Sequence, residues 1–127
     1  MVAALAAATF APKPATYTDP AHRFSFDLPR GEQVEDARAA DGSSETLIMQ
    51  GGADGAQIVI VPWSGDGSLA SLEGQYPYLL YGAQYITPAS LAGYPGFNFN
   101  NQLWIVHGGY LYVLEDVPPI VISSWQF

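Results

Sequence analysis

Few residues in this chain are of types and spacings that could do chemistry. His107 lies inside an otherwise apolar run, Gln102 to Leu114, with Asp116, Ser123 and Ser124 following it. A histidine base needs a nucleophile to activate and a carboxylate to orient it, and these three residues are the local supply. Such a set would serve a small hydrolase using His107, although no nucleophile-elbow motif is present. The competing role is structural, a histidine facing Tyr110 at the end of a hairpin, because working sites need several convergent groups. His22 precedes a strand in a polar loop and reads as solvated. No His or carboxylate spacing matches a zinc or EF-hand site. Asp41, Asp54 and Asp66 each sit in a glycine-bearing loop, where they form turns by default and could gather to hold a hard cation weakly. No glycine loop followed by Lys and Ser/Thr is present to cradle a phosphate. Cysteine is absent, which removes disulfides, thiolate metal sites and cysteine nucleophiles. No catalytic residue, metal site or cofactor is therefore assigned.

What remains is aromatic. Tyr76, Tyr78, Tyr81, Tyr85 and Tyr94, to which Trp63 is added from the preceding strand, fall in a stretch with no charge at all: between Glu73 and Glu115 there is no Asp, Glu, Lys or Arg. One reading is buried sheet covered by tyrosines with their hydroxyls at water. The other is an uncharged contact surface, since interfaces are depleted in charge and enriched in Tyr and Trp. On the second reading these six residues bind a protein partner or a small apolar or sugar-like ligand. The net charge of −8, with all four basic residues at or before Arg38, argues against nucleic acid and anionic membranes. No apolar run is long enough to span a bilayer.

The elements that must position these residues follow from periodicity. Gln102 to Leu114 is two strands around Gly108-Gly109, a pair suited to a two-residue turn. That turn sets His107 opposite Tyr110, Ile105 opposite Tyr112 and Leu103 opposite Leu114. Both faces are apolar, so the hairpin belongs inside a sheet covered on both sides. Asn100-Asn101 makes a second tight turn, placing Phe97 opposite Trp104. Phe97, Phe99, Trp104, Val106, Leu111 and Val113 should pack against one layer, and Ile105, Tyr112 and Leu114 against the other. Phe24 to Leu28 alternates as a half-buried strand, Gln33 to Arg38 reads as a polar edge strand, and Thr46 to Gln50 and Gln57 to Trp63 follow. Asp66 or Ser68 caps a helix that ends near Tyr76, ahead of Pro77. Gln84 to Thr87 returns as a strand, and Gly93 to Gly96 is a turn. Asp116 caps a short helix entered through Pro118.

Tyr17-Thr18-Asp19 leading into Phe24 to Gly31 resembles the opening of PsbP-like domains. So do Leu91 to Gly96 before a meander, Tyr112 on its last strand, and the terminal Ser124-Trp125-Gln126-Phe127. The family includes a photosystem II extrinsic protein, a Ran-binding nuclear protein and many small exported bacterial proteins. Neither the photosystem nor the Ran-binding residues have counterparts here, so those functions are not carried over. The resemblance implies an α+β fold: a twisted antiparallel sheet of about six strands with helices packed on its faces, an α/β/α sandwich.

The chain is accordingly divided into an apolar, proline-rich segment, residues 1–16, and a single PsbP-like domain, residues 17–127. Ala6-Ala7-Ala8 resembles a signal-peptidase site, so the first segment reads as the remnant of an export signal plus a linker. The expectation is a secreted or periplasmic, non-enzymatic binding or assembly module.

Overall fold

A computed structural model describes residues 15–21, 23–52 and 55–127. Residues 1–14 lie outside them, so the export-signal expectation falls there, as do those for His22 and Asp54. Thr16, assigned above to the linker, instead opens the first strand.

Nine strands occur among the described residues. β1 (Thr16–Thr18) and β2 (Ser25–Asp27) form a separate two-stranded ribbon. β3 (Gln33–Arg38), β4 (Glu45–Gln50), β5 (Gln57–Pro62), β6 (Ile86–Leu91), β7 (Tyr94–Phe99), β8 (Gln102–His107) and β9 (Tyr110–Glu115) build one antiparallel sheet in the order β3-β4-β5-β9-β8-β7-β6. Two meanders thus meet at the β5–β9 pair. The helices are short: α1 (Leu69–Gln75), α2 (Tyr78–Tyr81) and α3 (Pro119–Ser124), with a 3-10 turn at Ala83–Tyr85.

This overturns the expected α+β sandwich. The fold is mostly β, with a seven-stranded sheet rather than about six strands. The physical reasons are local. Pro77 supplies no backbone donor, and the chain leaves α1 at Tyr76, whose ψ of 79° is not helical. Pro118-Pro119 opens a helix of only six residues. On one face, a β-ribbon does much of the work that a helical layer would do in a sandwich.

The hairpin around Gly108-Gly109 has the expected register: His107 opposes Tyr110, Ile105 opposes Tyr112 and Leu103 opposes Leu114. Both glycines have positive φ, 59° and 86°, as a primed two-residue turn requires. Asn100, at φ 54°, turns the chain so that Phe97 meets Trp104. The two faces separate as the period of two demands. Phe97, Trp104, Leu111 and Val113 pack with Leu72 of α1 and Leu79 of α2, and Phe99 and Val106 join at the margin. Leu103, Ile105, Tyr112 and Leu114 pack beneath Phe24, Phe26 and Trp125. There Trp125 stacks on Phe24 at 4.8 Å and on Phe26 at 5.3 Å. The ribbon is tied to the C-terminal segment by Ser124 Oγ, which accepts from the Asp27 N–H at 2.7 Å, and by the Ser25–Gln126 bridge.

Three local expectations are corrected. The turn before the meander is Ala92-Gly93, both at positive φ, rather than Gly93 to Gly96. Tyr94, Pro95 and Gly96 are already strand, because Gly96 lets the backbones close: a Cβ there would lie 2.4 Å from the Trp104 carbonyl oxygen. β6 runs Ile86–Leu91, not Gln84 to Thr87, and tolerates Pro88 because it is an edge strand. Asp116 does not cap α3; it sits at φ 52°, and Pro118 occupies the cap position without a side-chain bond. Elsewhere the reading holds. β3 is an edge, Ser68 caps α1 by accepting from the Ser71 N–H, and Asp66 in turn braces Ser68.

One ion cluster joins ribbon to sheet. Arg23 donates to both Asp19 oxygens at 2.6 and 2.9 Å and to Glu45 at 2.8 Å, with its guanidinium 4.7 Å from the centre of the Tyr110 ring. Burial works to raise the Asp19 carboxyl, but the hydrogen bonds from Arg23 outweigh it and hold the group below its ordinary value. A depressed carboxyl contributes stability that is present above its unfolded pKa and lost as pH falls through the folded one.

Two predictions follow from packing and charge. Trp104 is 2% exposed, so Trp104→Ala should cost about 3–5 kcal/mol through the cavity it leaves. A Cβ at Gly109 meets nothing, so Gly109→Val should cost about 1–3 kcal/mol from backbone strain alone. Denaturant melts measure both, and a Trp104→Ala protein as stable as the parent would contradict the two-sided sheet. Arg23→Met strands the fully buried Asp19 carboxylate and should cost about 3–5 kcal/mol at neutral pH. Stability of the parent should fall as pH drops below the ordinary Asp value of about 3.9, and Asp19→Asn should flatten that part of the profile.

Candidate functional site

The six aromatic residues do not form one group. Trp63, at the end of β5, stacks on Tyr76 at 6.1 Å. Tyr76 meets Trp104 edge-on at 5.3 Å, and Tyr78 meets Trp104 at 6.1 Å and Phe99 at 6.0 Å. These contacts arise because Pro77 breaks the helical segment between Tyr76 and Tyr78 and lets both rings return to the sheet. Trp63 is fixed further by its indole N–H, which donates to the Asp66 carbonyl at 3.0 Å. Tyr81 lies at the end of α2 and points outward. Tyr85 and Tyr94 are elsewhere. Tyr85 rims a cleft with Asn98 and Leu103, and Tyr94 packs against His107 at 4.5 Å and Phe127 at 5.7 Å.

The tyrosines of the charge-free stretch are not all sheet cover. Tyr78 is 49% exposed, Tyr81 81% and Tyr85 59%, and Leu80 beside them is 57% exposed. Burial, and then the neighbouring Tyr76, raises the Tyr78 phenol above its ordinary value.

Beside Tyr76 and Tyr78 the sheet is left open. Leu72 of α1 and Leu79 of α2 cover Phe97 of β7 and Trp104 of β8, but the same face stays open beside Leu69 over Ile86, Pro88 and Val106, and β5 is only partly covered. A hollow of about 160 Å³ remains, lined by Val59, Val61, Leu111 and Val113 and walled by Tyr76 and Tyr78. Sequence reasoning did not assign Val59 and Val61 to a site. The run Ile58-Val59-Ile60-Val61 correctly implied a strand inside the sheet, but not that its second face lacks a lid. The signal available was the shortness of the helical stretch before Pro77, too little to roof seven strands.

His107 is not in the deep core. Its ring stacks on Phe127 at 4.0 Å, with Tyr94 edge-on to it. Among the described residues, no hydroxyl or carboxylate hydrogen-bonds to that ring, and Asp116 lies at the far end of β9. Asp41 and Asp66 are each folded into their own turn, accepting from Ser43 and Ser68 respectively. No group of three His, Asp or Glu side chains able to hold a metal occurs among the described residues. No described helix is long and apolar enough to cross a membrane.

No protein family, no curated protein and no solved structure matches this chain. The PsbP-like resemblance therefore rests on its short motifs alone.

Exposure and ionisation together rank the tyrosines by reactivity. Tyr112 is buried, and burial pushes its phenol up to about 12, so the reactive phenolate is suppressed as well as shielded. Limited treatment with tetranitromethane, mapped by peptide mass spectrometry, should nitrate Tyr81 and Tyr85 first and leave Tyr112 unmodified. Early nitration of Tyr112 would contradict the packing described.

Proposed function

We propose that this protein is a non-enzymatic binding module that recognises a protein partner through the uncharged surface of Tyr76, Tyr78 and Tyr81. The observation that carries this reading is the hollow beside Tyr76 and Tyr78. At about 160 Å³ it is smaller than the roughly 300–1,000 Å³ typical of sites that enclose a small molecule. It suits a single aliphatic or aromatic side chain presented by another protein, the kind of anchor that dominates interface energetics. Tyr78 at its wall is exposed, as are Leu80 and Tyr81 on the same helix, and no charge occurs along residues 74–114. The tyrosine rings lose little conformational freedom on binding, because Tyr76 and Tyr78 are already held against Trp104.

The hydrolase alternative draws no support from the surroundings of His107. A base needs a proton donor within reach of its ring. Here the ring faces stack with aromatic side chains instead.

The test is site-specific photocrosslinking. Benzoylphenylalanine placed at position 81 should give a discrete protein adduct in extracts of the source cells, and the same group at the exposed Asp41 turn should not. Against the purified partner, Tyr78→Ala should cost about 2 kcal/mol or more, roughly thirtyfold in affinity, with the fold intact. Identical adduct patterns from positions 81 and 41, or an unchanged affinity for the Tyr78 variant, would contradict the reading.

A further inference from the structure

The opposite face of the sheet carries a second and chemically different opening. One cross-strand row runs Thr87, Asn98, Leu103, Leu114 from β6 through β9. Its inner half, Leu103 and Leu114, is buried core. Its outer half is polar because the ribbon and α3 do not extend over this end of β6 and β7, whereas at the other end Leu91 of β6 is buried in the ribbon-side core. Where the cover stops, a cleft of about 530 Å³ opens between the sheet, the Asn100-Asn101 turn and α3. The turn wall is held in place by the Asp116 N–H, which donates to the Asn101 carbonyl at 3.1 Å.

The chemistry of the lining is specific. The base rests on the buried Leu103 and Leu114, and the apolar surface open to a ligand is that of Val117 and of Ile122 on α3. Around it stand Thr87, Asn98, Asn101 and Asp116, and none of these side chains is engaged in a hydrogen bond among the described residues. Amides and a hydroxyl both donate and accept, which matches a ligand whose groups do the same. Tyr85 supplies a single aromatic ring at the rim. No Lys or Arg lines the cleft, and the Asp116 carboxylate disfavours an anion. The volume falls in the range of sites that enclose a small ligand.

We propose that this cleft binds a neutral carbohydrate, with a C–H face of one sugar ring against Ile122 and Val117 and its hydroxyls on Asn98, Asn101, Thr87 and Asp116. A sugar is the neutral ligand that presents an apolar face and a ring of mixed donors and acceptors together. A planar nucleobase would call for a slot between parallel faces, and only one aromatic ring is present. The site lies on the other side of the sheet from the Tyr76–Tyr81 surface and shares only Gln102 with the hollow there, so either can fail without the other.

The experiment is a titration of the isotope-labelled full chain, followed by amide NMR, with maltotriose, cellotriose and chitotriose in parallel and adenosine as a comparison. At least one trisaccharide should shift the side-chain amides of Asn98 and Asn101, saturating with a dissociation constant on the order of micromolar to millimolar. Asn98→Ala and Thr87→Val should each weaken that binding by up to about tenfold, the loss of one hydrogen-bonding group. Gln75→Ala, on α1 across the sheet, should not change it. Unchanged melting temperatures would show that the variants remain folded. The proposal is overturned if no trisaccharide moves the cleft amides by roughly ten millimolar, if only adenosine does, or if the shifts fall on the Tyr76–Tyr81 surface instead.

Discussion

Everything in this molecule depends on a hairpin that is apolar on both faces. Trp104 and Tyr112 point to opposite sides of the same pair of strands, and both are buried. A sheet built on such a pair has no solvent face near its centre, so the remaining chain must supply two covers. It has little helix to do so. The first cover is the β1–β2 ribbon with Trp125 and Val121, and the second is α1 and α2 contributing chiefly Leu72 and Leu79. Seven strands are wider than either cover, and the strands left outside are where the openings lie.

The sheet's centre was legible in the sequence because its signals are local. Gly108-Gly109 and Asn100-Asn101 fix register through backbone conformation, and the period of two then assigns every side chain to a face. The shape of the layers was not legible. Whether a face is roofed by helix or ribbon depends on contacts distant in sequence, such as Asp27 with Ser124, ninety-seven residues apart. The expected sandwich failed there, because α1 stops ahead of Pro77 and the helices that follow are only four and six residues long. The Ala92-Gly93 turn was missed for a different reason: an alanine at φ 53° carries no sequence signature of a left-handed conformation.

The same limit applies to the candidate sites. Six aromatic residues were singled out by type and by lack of neighbouring charge, and that criterion identified the exposed Tyr78 and Tyr81. It could not say that Tyr94 would be drawn to His107 and Phe127, because that contact requires the chain's last residue to return across the sheet. Nor could it reveal Arg23. Read in sequence, that residue is one basic side chain in a polar loop. In the fold it is the cation that pairs with both Asp19 and Glu45 and holds the ribbon to β4, with Arg38 as the second cation 3.6 Å from Glu45. A buried carboxylate without such a partner would be costly, so the ribbon's position over the core and the charge arrangement are mutually dependent.

The two openings differ because the two covers end differently. Where cover is lost over β5 on the helix side, the strand is apolar on both faces, so what is exposed there is Val59, Val61 and the flanking tyrosine rings. On the ribbon side, cover is lost over β6 and β7, whose residues there are Thr87 and Asn98, so what is exposed is hydrogen-bonding capacity beside a strip of core. A chain with ordinary surface charge would have closed or solvated both edges with Lys and Glu. This one has no Asp, Glu, Lys or Arg from Gly74 to Leu114, and along that span it meets water chiefly through tyrosine, amide and hydroxyl groups. Those groups are hydrated less strongly than ions, so displacing water from them costs less. A surface of that kind is poorly suited to steering a partner from a distance by charge and well suited to holding one by contact. The absence of charge, more than any single residue, is what gives both edges of the cover the character of binding surfaces.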